Sequence, residues 1–213
     1  LFSFSLASQN PNQRIKYQLD SIIYNAIDSA AFPGAQLLII KKNKTFLHKA
    51  YGFHTYDKLN KVDTNALYDL ASVSKIIGAA LALMKLQDQH LFYADQSIGE
   101  SIRYLKRSNK SQLSWREVLS HQAGLEPYIV FWKKTAKRNG KQKRKYLSNQ
   151  QKGKFSYQVG ADLFAHDRFQ RKIKKGISNS VLRKDKKYLY SGLLFLTIPD
   201  LVEYETGLRL NQY

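Results

Sequence analysis

Ser72 and Lys75 are the residues of this 213-residue chain whose types and spacing point most directly to chemistry. They stand three positions apart at the head of the apolar run Ile76 to Met84, so a helix there places hydroxyl and amine one turn apart on one face. A serine beside an amine that is partly withdrawn from water can be made nucleophilic without histidine. The same residues also read as a serine N-cap followed by a solvated lysine, and spacing alone leaves both readings open. Other chemistries are poorly supplied. Cysteine is absent, which excludes a thiol nucleophile, disulfides and cysteine-based zinc sites. The histidines, His48, His54, His90, His121 and His166, show no metal-ligand spacing, so neither a metal nor another cofactor is expected.

The elements that must position this pair read as an α+β pattern. Apolar residues at Ile15, Leu19, Ile22, Ile23, Ala26 and Ile27 predict a helix over 13–30 with one buried face, capped by Asn10 or Asn12 and stopped by Phe32-Pro33-Gly34. Gln36–Ile40 and Thr45–Tyr51 read as two strands joined by a polar connection over Lys41–Lys44. A buried helix is expected from Ser72 to Leu86, and short helices from Ser97 to Leu125. In the latter, Ser114 serves as N-cap and Glu117 as its capping-box partner. His121, in Ser120-His121-Gln122-Ala123-Gly124-Leu125, reads as a residue that fixes the following turn by hydrogen bonding.

At 43% hydrophobic content the chain can bury one sizeable core, and no repeat suggests a solenoid. No stretch has the apolar length of a transmembrane helix. The apolar start, Leu1 to Ala7, reads equally as the tail of a secretory signal or as a linker, which sets 1–12 apart from a domain over 13–213. Charge is uneven. The net is +19, and residues 133–187 hold 19 Lys/Arg against Asp162, Asp167 and Asp185. Such a segment suits an anionic envelope surface or another polyanion. In most proteins a run like Lys137 to Lys145 is a solvated, self-repelling loop, and nucleic acid is disfavoured because no aromatic residues interleave regularly with Lys133 to Lys145.

Further motifs extend the pattern. Phe32-Pro33-Gly34 leads into the strand pair, Asp63-Thr64-Asn65-Ala66-Leu67-Tyr68-Asp69-Leu70 runs into Ala71-Ser72, and Leu113 to Leu125 is followed much later by Tyr190-Ser191-Gly192. In this order the chain, from about Ile15 onward, resembles the serine beta-lactamase and penicillin-binding protein superfamily. The branch it resembles comprises class C beta-lactamases, D-Ala-D-Ala carboxypeptidases and related esterases. The resemblance implies a beta-lactamase/transpeptidase-like fold, an antiparallel sheet flanked by helices plus a helical domain. It also implies a serine hydrolase acting through a covalent acyl-enzyme on beta-lactams, cell-wall D-alanyl peptides or small esters. Ser72 would be the nucleophile, and Lys75 and Tyr190 would share proton transfer.

Two departures stand beside it. Gly192 occupies the asparagine position of the family's Tyr-x-Asn motif, so no side-chain amide is offered there to a substrate carbonyl. The family's Lys-Thr-Gly or His-x-Gly triplet does not occur by Tyr213, so these residues read as the N-terminal portion of such a domain, with impaired activity expected of this stretch alone. The resemblance further implies export to the periplasm or envelope and admits a glycoside hydrolase partner domain. A non-catalytic binding or scaffolding member and a polyanion-binding module stand as the alternatives.

Overall fold

The computed structural model describes residues 10–213, so the signal or linker reading of Leu1 to Ala7 lies outside the described residues. The chain divides into two compact units between Asp69 and Leu70. In the first, helix α1 (Pro11–Asp28) is capped by Asn10, whose side chain accepts from the Asn12 N–H at 3.0 Å. Pro11 stands in the first turn, where a missing N–H costs nothing. Strands β1 (Gly34–Lys41) and β2 (Lys44–Gly52) pair antiparallel, with Lys41 opposite Lys44. The two residues between them, Lys42 and Asn43, have φ of 49° and 58°, the doubly left-handed turn whose twist suits a tight hairpin.

The expected buried face of α1 forms only in part. Leu19, Ile23, Ala26 and Ile27 are half-buried, whereas Ile15 and Ile22 are exposed. A polar clasp adds to the apolar contact. Asp20 accepts from Lys49 Nζ at 2.8 Å and from the Tyr51 hydroxyl at 2.7 Å, tying α1 to β2.

The second unit carries a contiguous core of Leu83, Leu86, Phe92, Ile98, Leu105, Trp115, Val118, Ile177, Leu194 and Leu201, among others. The expected Ser72–Leu86 helix is wound in three ways: a 3-10 turn over Ala71–Val73, a π-helical turn over Lys75–Ala80 and helix α2 over Leu81–Asp88. It is also one-sided. Ala79, Ala82, Leu83 and Leu86 are buried, but Ile76 and Met84 are 65% and 66% exposed. Helices α3 (Ile98–Ser101) and α4 (Trp115–Leu119) each open on a complete capping box, Ser97 with Glu100 and Ser114 with Glu117. Trp115 is fully buried and donates its Nε1–H to Ser101 Oγ at 3.0 Å.

The basic segment is folded rather than a bare loop. A small hairpin pairs Ala136 with Gln142 and turns at Gly140, where φ is 76°. Beyond it β3 (Leu147–Ser148), β4 (Phe155–Gly160) and β5 (Leu163–His166) form an antiparallel sheet in the order β3-β5-β4. Helix α5 (Asp167–Ser178) buries Phe169 and Ile177 and leaves its many cations on the other side. A 3-10 turn over Leu194–Thr197 then leads into α6 (Ile198–Thr206), which ends on Gly207 in the left-handed conformation.

The Asp20 clasp makes a measurable expectation. Lys49 and Tyr51 hold the Asp20 carboxyl below its ordinary range. Its contribution is therefore complete above the ordinary carboxylate pKa and is lost as pH falls through the depressed folded value. Asp20→Asn should lower the protection of α1 and β2 amides in hydrogen exchange at neutral pH by about 0.5–1 kcal/mol, given the pair's partial exposure. The difference from the parent should vanish in acid.

Candidate active site

Lys75 Nζ bonds to Ser72 Oγ at 2.9 Å. The local winding explains the closeness, because side chains at i and i+3 eclipse in a 3-10 turn, and the turn over Ala71–Val73 carries the serine over the lysine that follows. Ala71, just before the serine, has a φ of 43°. For a residue with a Cβ, left-handed backbone costs about 1–2 kcal/mol. Strain of this kind gathers at functional sites, as do π-helical turns such as the one Lys75 begins.

Tyr190 arrives from far along the chain. Its hydroxyl interacts with both Ser72 and Lys75, and its ring centroid lies 5.3 Å from Lys75 Nζ. The hydrogen bond with Ser72, then that with Lys75 and the lysine's charge, together hold the Tyr190 phenol below the ordinary tyrosine range. The structure thus brings the three predicted residues together: Lys75 Nζ bonds to Ser72 Oγ, and Tyr190 stands beside both. Ser72 and Tyr190 are exposed and Lys75 is half-buried, so reactants reach the group from the surface. A proton leaving Ser72 Oγ finds the Tyr190 hydroxyl oxygen beside it, next to the positive charge of Lys75.

A series of contacts fixes the segment that carries Tyr190. Lys186 pairs with Glu117 of α4, and the Leu189 N–H donates to the His121 carbonyl at 2.9 Å. The Ser191 N–H donates to His121 Nδ1 at 3.2 Å. Ser191 Oγ donates to the Glu126 carbonyl at 2.6 Å and accepts from the Leu193 N–H at 3.2 Å, while the Gly192 N–H donates to the Pro127 carbonyl at 3.0 Å. Leu193 and Leu194 then sink into the core. Burial would raise the Glu117 carboxyl, but Lys186 and the Ser114 donors outweigh it and hold it low, so the clasp stays charged.

The ring of His121 therefore bonds to a segment remote in sequence rather than to its own turn, a role that local spacing could not reveal. Gly124 is required for a different reason. Its φ is 69°, and a Cβ there would stand 2.6 Å from the Arg183 carbonyl oxygen.

Gly192 borders the amine. A Cβ at 192 would lie 3.3 Å from Lys75 Cε and 3.6 Å from Nζ. Glycine leaves that flank of the lysine open. A separate cleft of about 1020 Å³ is lined by Ser97, Glu100, Tyr104, Lys174 and Asp200, among others, and includes none of the three site residues. Lys174 and Asp200 pair with each other there at 3.0 Å. Among the described residues no group of three or more His, Asp or Glu could hold a metal, and no helix is long and apolar enough to cross a membrane.

Comparison with known proteins gives the family and the fold. The family model described as Beta-lactamase matches residues 19–166, more than half of the chain. Protein flp of Staphylococcus aureus (strain NCTC 8325 / PS 47) is 28% identical over 116 residues, covering 53% of this chain and 23% of that protein. A crystal structure of a class C beta lactamase superposes with a TM-score of 0.66 at 16% identity, over 95% of this chain and 48% of the other. A beta-lactamase/D-alanine carboxypeptidase from Pseudomonas syringae gives 0.60 at 12% identity, over 93% and 47%. The fold is beta-lactamase/transpeptidase-like, and the chain spans less than half the length of these relatives.

The electrostatics of the group yield a direct expectation. Lys75→Met keeps the length of the side chain but removes both a hydrogen bond to Tyr190 and the adjacent positive charge. The Tyr190 phenol should then ionise at higher pH, nearer an ordinary tyrosine. Carbon-13 tyrosine NMR across a pH titration, with Tyr190→Phe identifying the resonance, measures the shift.

Proposed function

Because this chain belongs to the beta-lactamase family, we propose that it is part of a serine hydrolase that works through a covalent acyl-enzyme on Ser72. The observation that carries the reading is the Ser72–Lys75 hydrogen bond with Tyr190 placed beside the pair. Because the Tyr190 phenol is held low, a larger share of it stands as phenolate able to accept a proton, with the charge of Lys75 stabilising that form. Ser72 Oγ forms a bond to a substrate carbonyl carbon as its proton passes to Tyr190 Oη. The carbonyl–leaving-group bond then breaks, Tyr190 returns the proton to the departing amine or alcohol, and water or a second amine releases the acyl group.

The substrates proposed are a beta-lactam, a cell-wall D-alanyl peptide or a small ester. Such substrates fit export to the periplasm or envelope, where the +16 charge of residues 133–187 would favour an anionic surface. A second reading, a non-catalytic member of the family, is favoured by Gly192, which supplies no side-chain amide to a substrate.

A fluorescent penicillin or an activated ester should label the protein at Ser72, the serine bonded to Lys75. Mass spectrometry of the adduct, with Ser72→Ala as control, checks this, and labelling at Ser74 or unchanged labelling of Ser72→Ala would overturn it. The 213 residues alone should turn over substrate poorly and self-associate. The exposed Ile76, Ile77, Leu81 and Met84 and the outer edges of a two-stranded sheet invite association. Concentration-dependent sedimentation tests this, and a monomer with efficient ester turnover would contradict it.

A further inference from the structure

His121 ends α4 in a backbone conformation that suits glycine better. Its φ is 58°. The His121 N–H bonds to the Val118 carbonyl at 3.1 Å and the Gln122 N–H to the Glu117 carbonyl at 2.8 Å, which is the Schellman pattern of helix termination. The left-handed residue of that pattern is most often glycine, which has no Cβ to strain there. A side chain retained against that strain calls for a reason.

The ring supplies one. Besides accepting the Ser191 N–H, it lies with its centroid 4.5 Å from the Tyr190 ring, tilted at 49°, and 5.7 Å from Phe195, near-parallel at 28°. With the Leu189 N–H on its carbonyl, one residue holds Tyr190 from the peptide on each side and from the ring face.

We propose that His121 is the positioning residue for Tyr190, acting as a neutral imidazole with its proton on Nε2, and that a second proton on Nδ1 releases Tyr190 and stops proton transfer. This rests on the reading of Tyr190 as proton acceptor. A protonated Nδ1 has no lone pair for the Ser191 N–H, so charge on the ring and the hydrogen bond exclude each other. The titratable groups facing the ring are Lys75 from the π-helical turn and Tyr188 and Tyr190 from the returning segment. Glu117, the acid of α4, is engaged by Lys186. Burial lowers the His121 imidazole most, the backbone of Ser191 acts against it and the charge of Lys75 with it, and the balance lies below the ordinary histidine range, so the neutral form prevails at neutral pH.

The test uses the full chain with two readouts, the ionisation of Tyr190 by carbon-13 tyrosine NMR and the rate of Ser72 acylation by an activated ester. His121→Gly relieves the backbone and removes the ring. It should melt no lower than the parent, move Tyr190 ionisation upward and slow acylation by about tenfold to a hundredfold, as expected for a misplaced proton acceptor. His121→Asn tolerates left-handed backbone and keeps an acceptor oxygen near Nδ1. It should restore most of the rate and abolish the fall that the parent shows on the acid side of the ordinary histidine range.

Parent-like Tyr190 ionisation and acylation in His121→Gly would overturn the proposal, as would an unchanged acid-side fall in His121→Asn. If His121→Gly fails to fold, the asparagine variant decides. If the parent itself is not acylated, the hydrolase reading fails, while the Tyr190 titration still tests the role of His121.

Discussion

Ser72 and Lys75 come from adjacent turns of one segment and meet by local winding, but the phenol that completes the group has no such advantage. Its placement depends on residues 186–192 being held along the end of α4, and two kinds of force share that task. Leu193 and Leu194, each buried at a gain of about 1.5–3 kcal/mol, fix where the segment enters the core. The hydrogen bonds through His121, Glu126 and Pro127, each worth about 1 kcal/mol net, fix its register and the direction in which Tyr190 points. Burial alone would tolerate a slip of a residue. The polar contacts would not.

What could be read from the sequence was local. The Asn10 cap, the Ser114–Glu117 capping box, the first hairpin and the Ser72–Lys75 face all follow from residues within a few positions of one another. Tyr190 was reached only through family resemblance, because 14 tyrosines make any one of them a weak signal. The sheet of β3, β4 and β5 was missed because its strands are short and set among cations that mask the alternation. The ring partner of His121 was missed for a different reason, since a contact 70 positions away leaves no trace in spacing. The apolar run after Ser72 reads as a buried helix, yet only the face carrying Ala79, Ala82, Leu83 and Leu86 is buried, because a run apolar from Ile76 to Met84 has no polar residues to mark the outer face.

The basic segment shows how so much like charge is tolerated in a folded piece of chain. The apolar side of α5 faces the core while its cations face water, where repulsion is screened over about 8–10 Å at moderate salt. Some cations also find aromatic faces. Lys145 and Lys172 lie 5.1 and 5.4 Å from the ring centre of Tyr146, and a hydrogen bond from Lys172 with the neighbouring lysine charges pulls that phenol below its ordinary range. The segment's cations are thus met partly by its own tyrosine ring and partly by the acids that pair with Lys174, Arg183 and Lys186.

The π-helical turn from Lys75 to Ala80 carries a geometric consequence for how this segment can change. A π turn holds one residue more than an α turn, and each residue of helix corresponds to about 100° of rotation. Deleting a single residue between Ile76 and Ala80 would let the helix close into regular α geometry without breaking it. Because one π turn and one α turn each complete a single rotation, Ser72 and Lys75 would keep their facing relative to Leu83 and Leu86, which stay fixed in the core. A deletion within the regular winding of α2 would instead turn the pair by about 100°, away from Tyr190. The widened turn is therefore where this segment can lose a residue without changing the phase between its buried half and its reactive end.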